Sequence, residues 1–179
     1  MLLMGMYDSP YVRRVAGLVT CGLLAPALWA AEPCAGFRWD VTQERALFAS
    51  AAQPLIAGRD SASAPPVQPG KLYELQLEPQ EQVSFAVPAA RNHTADGAHA
   101  GVARLVITAA GAYRISLDQP FWIDVVAGSQ LLASKDFQGV PGCHAPHKIV
   151  EFDLPATSDL VLQISGASAA VLRLTLTRS

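Results

Sequence analysis

The chain has 179 residues, of which 13 are basic and 15 acidic, and only 16% are charged. A formal net charge of −2 leaves no basic excess to neutralise phosphates, which argues against nucleic acid as a partner and gives no cue for an anionic membrane surface.

The chain opens on an export signal. Arg13 and Arg14 precede an apolar run, Val15 to Leu28, which ends in Trp29-Ala30-Ala31 and the polar Glu32-Pro33. A basic start, a short apolar stretch and a small-residue exit mark a secretory signal peptide. The run falls short of the roughly 20 apolar residues of a membrane span. Residues 1–30 are expected to be removed after Ala30, with Ala31 as the alternative. The mature chain is then periplasmic or secreted, has no transmembrane segment, and carries 11 basic and 14 acidic residues. Lipidation at Cys21 is not expected, because Leu18-Val19-Thr20 lacks the small residue that precedes a lipid-modified cysteine.

Cleavage removes Cys21 and leaves Cys34 and Cys143 as an even pair in an oxidising compartment. The plain reading is one disulfide; the rival reading makes Cys143 a thiolate ligand.

Residues 31–70 are expected to hold one helix and a linker. Asp40 can cap a helix over Val41–Ala51, with Trp39 packed before the cap. Val41, Glu44, Leu47 and Phe48 share one face, with Glu44 the discordant member. Gln53–Gly70 holds Pro54, Pro65, Pro66 and Pro69 and reads as a linker or long surface loop.

From Leu72 the period changes to two, so residues 71–179 are expected to form the main domain. Tyr73–Leu77, Val83–Val87, Tyr113–Leu117, Val150–Leu154, Leu160–Ile164 and Leu172–Leu176 alternate apolar with polar residues. Val102–Thr108, Phe121–Ala127 and Gln130–Ser134 add three more strands. About nine short strands separated by turn signals predict an all-β, antiparallel, two-sheet sandwich, jelly-roll-like, with a closed barrel as the alternative. If each connection reverses direction, the two longest loops, Pro88–Gly101 and Phe137–Lys148, fall at one end.

Those loops hold every histidine. His93 and His99 lie in the first, His144 and His147 in the second, with Asp96 and Cys143 beside them. Imidazoles gathered at one pole are a candidate zinc, copper or iron site, but the spacing matches no zinc-finger, HExxH or haem-attachment pattern. The bland reading is solvated loop histidines beside a disulfide, with no cofactor.

In Phe121–Val126, Trp122 and Asp124 share one face of a strand. Facing outward, an aromatic beside a carboxylate is a candidate ligand platform of the kind that binds sugars, with Trp39 the other aromatic available to it. Facing inward, Asp124 is a buried carboxylate in need of a partner such as Arg114 or Lys148. No nucleophile elbow, Ser/His/Asp set, phosphate loop or glycosidase acid pair is visible, so no catalytic residue is assigned and the reading leans away from an enzyme.

Two resemblances follow from particular residues. Leu72-Tyr73-Glu74-Leu75, Gly111–Leu117 and the closing Leu172–Thr177 are similar in rhythm to pre-peptidase C-terminal (PPC-like) jelly-roll modules, which implies a non-catalytic sandwich. Trp39-Asp40-Val41, Trp122-Ile123-Asp124-Val125 and Cys143–Lys148 resemble a family of uncharacterised exported proteobacterial proteins. Some of its members carry the name homogentisate 1,2-dioxygenase. That name implies an iron-dependent oxygenase with a His/His/Glu ligand set, which finds no matching positions in this sequence. The expected function is an exported, non-catalytic binding or structural module for a protein or small ligand. The competing function is a metal-binding protein or small metal-dependent oxygenase with its histidines at one end of the sandwich.

Overall fold

The computed structural model describes residues 34–91 and 96–179. The signal peptide with its cleavage site, and His93, lie outside the described residues. No helix among the described residues is long and apolar enough to cross a membrane.

Helix α1 spans Thr42–Phe48, shorter than the segment expected from composition. The N-cap is Val41, which makes no side-chain cap bond. Asp40, one residue earlier than expected of a cap, still holds the first turn, its Oδ1 accepting from the Thr42 backbone N–H at 2.9 Å and from the Thr42 hydroxyl at 2.6 Å. The discordant Glu44 explains how the helix docks. Glu44 is only 2% exposed, accepts the Thr177 hydroxyl at 2.7 Å and lies 3.8 Å from Arg114. Arg114 in turn donates to Glu151 at 3.2 Å and sits 4.6 Å from the centre of the Trp39 ring. A buried carboxylate is tolerated because it is paired and hydrogen-bonded.

The strands are β1 (Gln53–Ile56), β2 (Pro66–Val67), β3 (Leu72–Gln76), β4 (Glu78–Pro79), β5 (His99–Ile107), β6 (Gly111–Leu117), β7 (Trp122–Ala127), β8 (Gln130–Leu132), β9 (Asp136–Gly139), β10 (Lys148–Leu154), β11 (Thr157–Ala167) and β12 (Val171–Arg178). They form an all-β, two-sheet sandwich. One sheet runs β1-β3-β12-β6-β10-β9; the other runs β2-β5-β11-β7-β8, with β4 also on β5. The ladders are antiparallel except at two margins, where β1 pairs with β3 and β2 with β5 in parallel. Between the sheets, Leu75, Leu105, Ile115, Leu117, Val125, Leu162, Leu174 and Leu176 are fully buried.

Three expectations are corrected. Gln53–Gly70 is not wholly a linker, since β1 and β2 lie within it. Their prolines, Pro54 and Pro66, occupy edge strands, where a missing N–H is tolerated. The loop Phe137–Lys148 begins later, because Asp136–Gly139 pairs with β10. Val83–Val87 is no strand. It continues from a 3-10 turn over Gln80–Gln82 as an extended strap, with Val83, Phe85 and Val87 half-buried and their neighbours exposed. The period of two reported an extended segment with one covered face. It did not report where the backbone hydrogen bonds go.

At the start of the strap they go to backbone, from Val83 N–H to the Gln80 carbonyl at 3.1 Å and from Ser84 N–H to the Arg59 carbonyl at 2.7 Å; further along they go to side chains. Val87 N–H donates to Gln163 Oε1 at 3.2 Å, and Gln163 Nε2 donates back to the Val87 carbonyl at 3.1 Å. Ala90 N–H donates to Asp124 Oδ2 at 3.0 Å. Gln163 and Asp124 are direct cross-strand partners of β11 and β7. Their neighbours Leu162, Ile164, Ile123 and Val125 belong to the core, so this pair lies on the outer face, under the strap.

Candidate functional site

The expected disulfide is present: Cys34 joins Cys143 across a sequence separation of 109. It ties the segment before α1 to the loop between β9 and β10. An oxidised Cys143 is no thiolate ligand.

Strand pairing gathers the histidine-bearing segments at one end. His99 opens β5, Lys148 opens β10 opposite Leu117, and the short 118–121 connection returns from Leu117 to Trp122. The described histidines do not build a metal centre there. His144 Nδ1 donates to the Asp118 carbonyl at 3.1 Å and His147 Nδ1 to the Cys143 carbonyl at 2.9 Å. Their rings stack with centroids 6.2 Å apart. His99 Nδ1 is buried without a hydrogen-bond partner. Among the described residues no group of three or more His, Cys, Asp or Glu side chains is placed to hold a metal ion. Two stacked imidazoles are not the three-ligand set of a zinc or non-haem iron site.

A cleft of about 500 Å³ opens at the same end. Its origin is the shortness of β8. Leu132, Leu131 and Gln130 pair with Val125, Val126 and Ala127, and the chain then leaves to cross to β9. Among the described residues no strand covers the second edge of β7 at Trp122–Asp124, and the space there runs inward between the sheets. Ile123, Val150 and Phe152 form its apolar depth. Leu131, 40% exposed, and Phe137, 65% exposed, stand at its mouth. Exposed apolar side chains grouped at a concavity are the usual mark of a binding surface.

The polar groups converge on Trp122. Its indole N–H donates to Asp124 Oδ1 at 3.0 Å. The Arg91 guanidinium carbon lies 4.7 Å from the ring centre and the Lys148 ammonium 5.3 Å from it. Such cation–π contacts hold a charge in place while leaving its N–H groups free to point elsewhere. Lys148 Nζ donates to the Phe121 carbonyl at 2.8 Å. Burial pushes the Lys148 amine below the ordinary lysine range; Arg91 adds to this and Asp124 opposes it.

Trp122 and Asp124 therefore do share an outer face, as the alternation implied, and both line the cleft. Trp122 is no bare platform, since two cations lie against its ring. Asp124 is 8% exposed and finds its partners in the Trp122 indole and the Ala90 amide, not in Arg114. Trp39 belongs elsewhere, stacked with Arg114 beside α1. The strap residue Arg91 and the mouth residues Leu131 and Phe137 carry no motif. Lys148 did carry a signal. It lies in phase with Val150, Phe152 and Leu154, so a lysine occupies the inward register of a core strand. Compared with protein-family models, with curated proteins and with solved structures, the chain finds no match in any of the three.

Proposed function

We propose that this chain is an exported, non-catalytic β-sandwich module that binds a small, largely apolar ligand in the cleft beside Trp122. One observation carries this reading. A cavity of about 500 Å³, apolar in its depth and with few polar groups at one end, opens between the sheets where β8 stops short. Small-molecule sites run about 300–1,000 Å³ with that division of character. Both oxygens of Asp124 accept N–H groups, one from the strap and one from the Trp122 indole, so this carboxylate helps to assemble the cleft wall. The Cys34–Cys143 disulfide supports an oxidising compartment, and the PPC-like resemblance points the same way on the absence of catalysis.

A neutral naphthylamine dye that brightens in apolar surroundings tests the reading. It should bind at one site per chain, and Ala133→Trp, which places an indole into the cleft wall, should abolish binding while the far-ultraviolet dichroism stays unchanged. A dye that does not bind, or that binds the variant equally, refutes the cleft as the site.

A further inference from the structure

We infer that the ligand is an amphipathic carboxylate, with its apolar body between the sheets and its head held by Arg91 and Lys148. The inference rests on the cleft being the binding site and adds the chemistry of its occupant.

Three observations support it. First, both cations stand beside Asp124 at one end of a mostly apolar cavity, and both lie against the same indole ring. A ligand whose body fills the depth must present its head to them.

Second, their donors are available. Arg91 is exposed, and among the described residues its guanidinium makes no hydrogen bond or ion pair, only the stacking contact. A planar fork fixed by stacking matches a carboxylate in two-point fashion. Lys148 commits one of its three N–H groups to the Phe121 carbonyl, which anchors the ammonium and leaves two for a ligand.

Third, the charges count to one. Arg91 and Lys148 carry two positive charges and Asp124 one negative, which leaves a single positive charge for the occupant to neutralise. A monoanion satisfies that site. A phosphate dianion overshoots it, a neutral alcohol leaves it unpaired, and a cationic amphiphile meets direct repulsion.

Head and body are separable by experiment. The bound naphthylamine dye is displaced by four ligands with the same ten-carbon chain: decanoate, decanol, decyl phosphate and decylammonium. The expected order places decanoate at least about 10-fold ahead of the other three, since a hydrogen bond to a charged group contributes about 1.5–3 kcal/mol. Arg91→Gln and Lys148→Met should each weaken decanoate by a similar factor and reduce its lead over decanol, measured as the ratio of the two affinities in the same variant. If the dye binds and decanol or decylammonium displaces it as well as decanoate does, the cleft stands and the carboxylate inference falls. If decyl phosphate leads, the head group is wrong. If neither dye nor decanoate binds, the cleft reading fails first and takes the inference with it. Arg91 is a surface residue, so Arg91→Gln reports on binding even where Lys148→Met proves hard to fold.

Discussion

Gln163 offers the sharpest test of how the site is assembled. It is 1% exposed on the outer face of β11, and its amide makes two hydrogen bonds to the Val87 backbone, at 3.1 and 3.2 Å. The side chain acts as a neighbouring strand would, one donor and one acceptor matched to one residue of the strap. Gln163→Met keeps length and volume and removes both partners. A typical hydrogen bond contributes about 0.5–1.5 kcal/mol net, so the pair is worth about 1–3 kcal/mol. Val87 is only half-buried, and its freed N–H and carbonyl can reach water, which brings the expected loss to about 1–2 kcal/mol. For a domain of this size each kcal/mol shifts Tm by about 2–4 °C, so Tm should fall by about 2–8 °C with the disulfide intact. Amide exchange should quicken in the peptide covering 84–91 and stay unchanged in β12. Arg91 ends the strap, so the preference for decanoate over decanol should also shrink. An unchanged Tm together with unchanged exchange over 84–91 would show that the strap is held by apolar packing alone and that the reasoning from Gln163 is wrong.

The other predictions concern the frame and the pH response. Gly58 bridges Val102 at the margin of β5, and a Cβ there would come within 2.7 Å of the Ala64 backbone nitrogen. Backbone cannot step aside as a flexible side chain can, so Gly58→Ala should lower stability by about 1–3 kcal/mol in urea melts, and an unaltered midpoint would contradict the close approach. Reducing the Cys34–Cys143 bond frees a loop of 109 residues, for which chain entropy sets an upper figure of about 4–5 kcal/mol. Denaturation with and without reductant measures it, and a difference near zero would mean the clip is thermodynamically idle. Lys148, with Arg91, Asp124 and the Trp122 ring around it, should govern the pH dependence of carboxylate binding. The amine attracts the head only while charged, and its folded value is depressed, so decanoate affinity should be full below that value and fall, to what Arg91 alone supplies, as pH rises through it. The same depression means the unfolded chain binds more protons in that window, so stability of the free protein should rise with pH there. Lys148→Met should flatten both profiles, and calorimetric titrations across alkaline pH would detect a failure to do so.

Much of the scaffold was legible because hydrophobic periodicity is local. β3, β5, β6, β7, β8, β10, β11 and β12 each announce themselves by alternation or by a short apolar run between turns, and the helix announces itself by Asp40 and the helix formers after it. The misreadings share a cause. Val83–Val87 alternates as a strand does, yet it joins no ladder: Ser84 bonds the Arg59 carbonyl and Val87 the Gln163 side chain, both remote in sequence. β1, β2 and β9 are short margin strands of little pattern, and two of them contain a proline that only an edge accommodates. Glu44 looked like a flaw in an apolar face because its partners, Arg114 and Thr177, stand on distant strands.

By itself the sequence determined fold class and strand periodicity, since each depends on residue type and near-neighbour spacing. It also put Trp122 and Asp124 on one face, because side chains alternate along any strand. Only the tertiary structure decided what that face does. A three-residue β8 leaves an edge of β7 uncovered, a strap brings Arg91 onto the Trp122 ring, and the first residue of β10 brings Lys148 to the same ring. A binding cleft is a property of segments remote in sequence meeting in space. No window along the chain contains Arg91, Trp122 and Lys148 together, and the fold alone supplies their meeting.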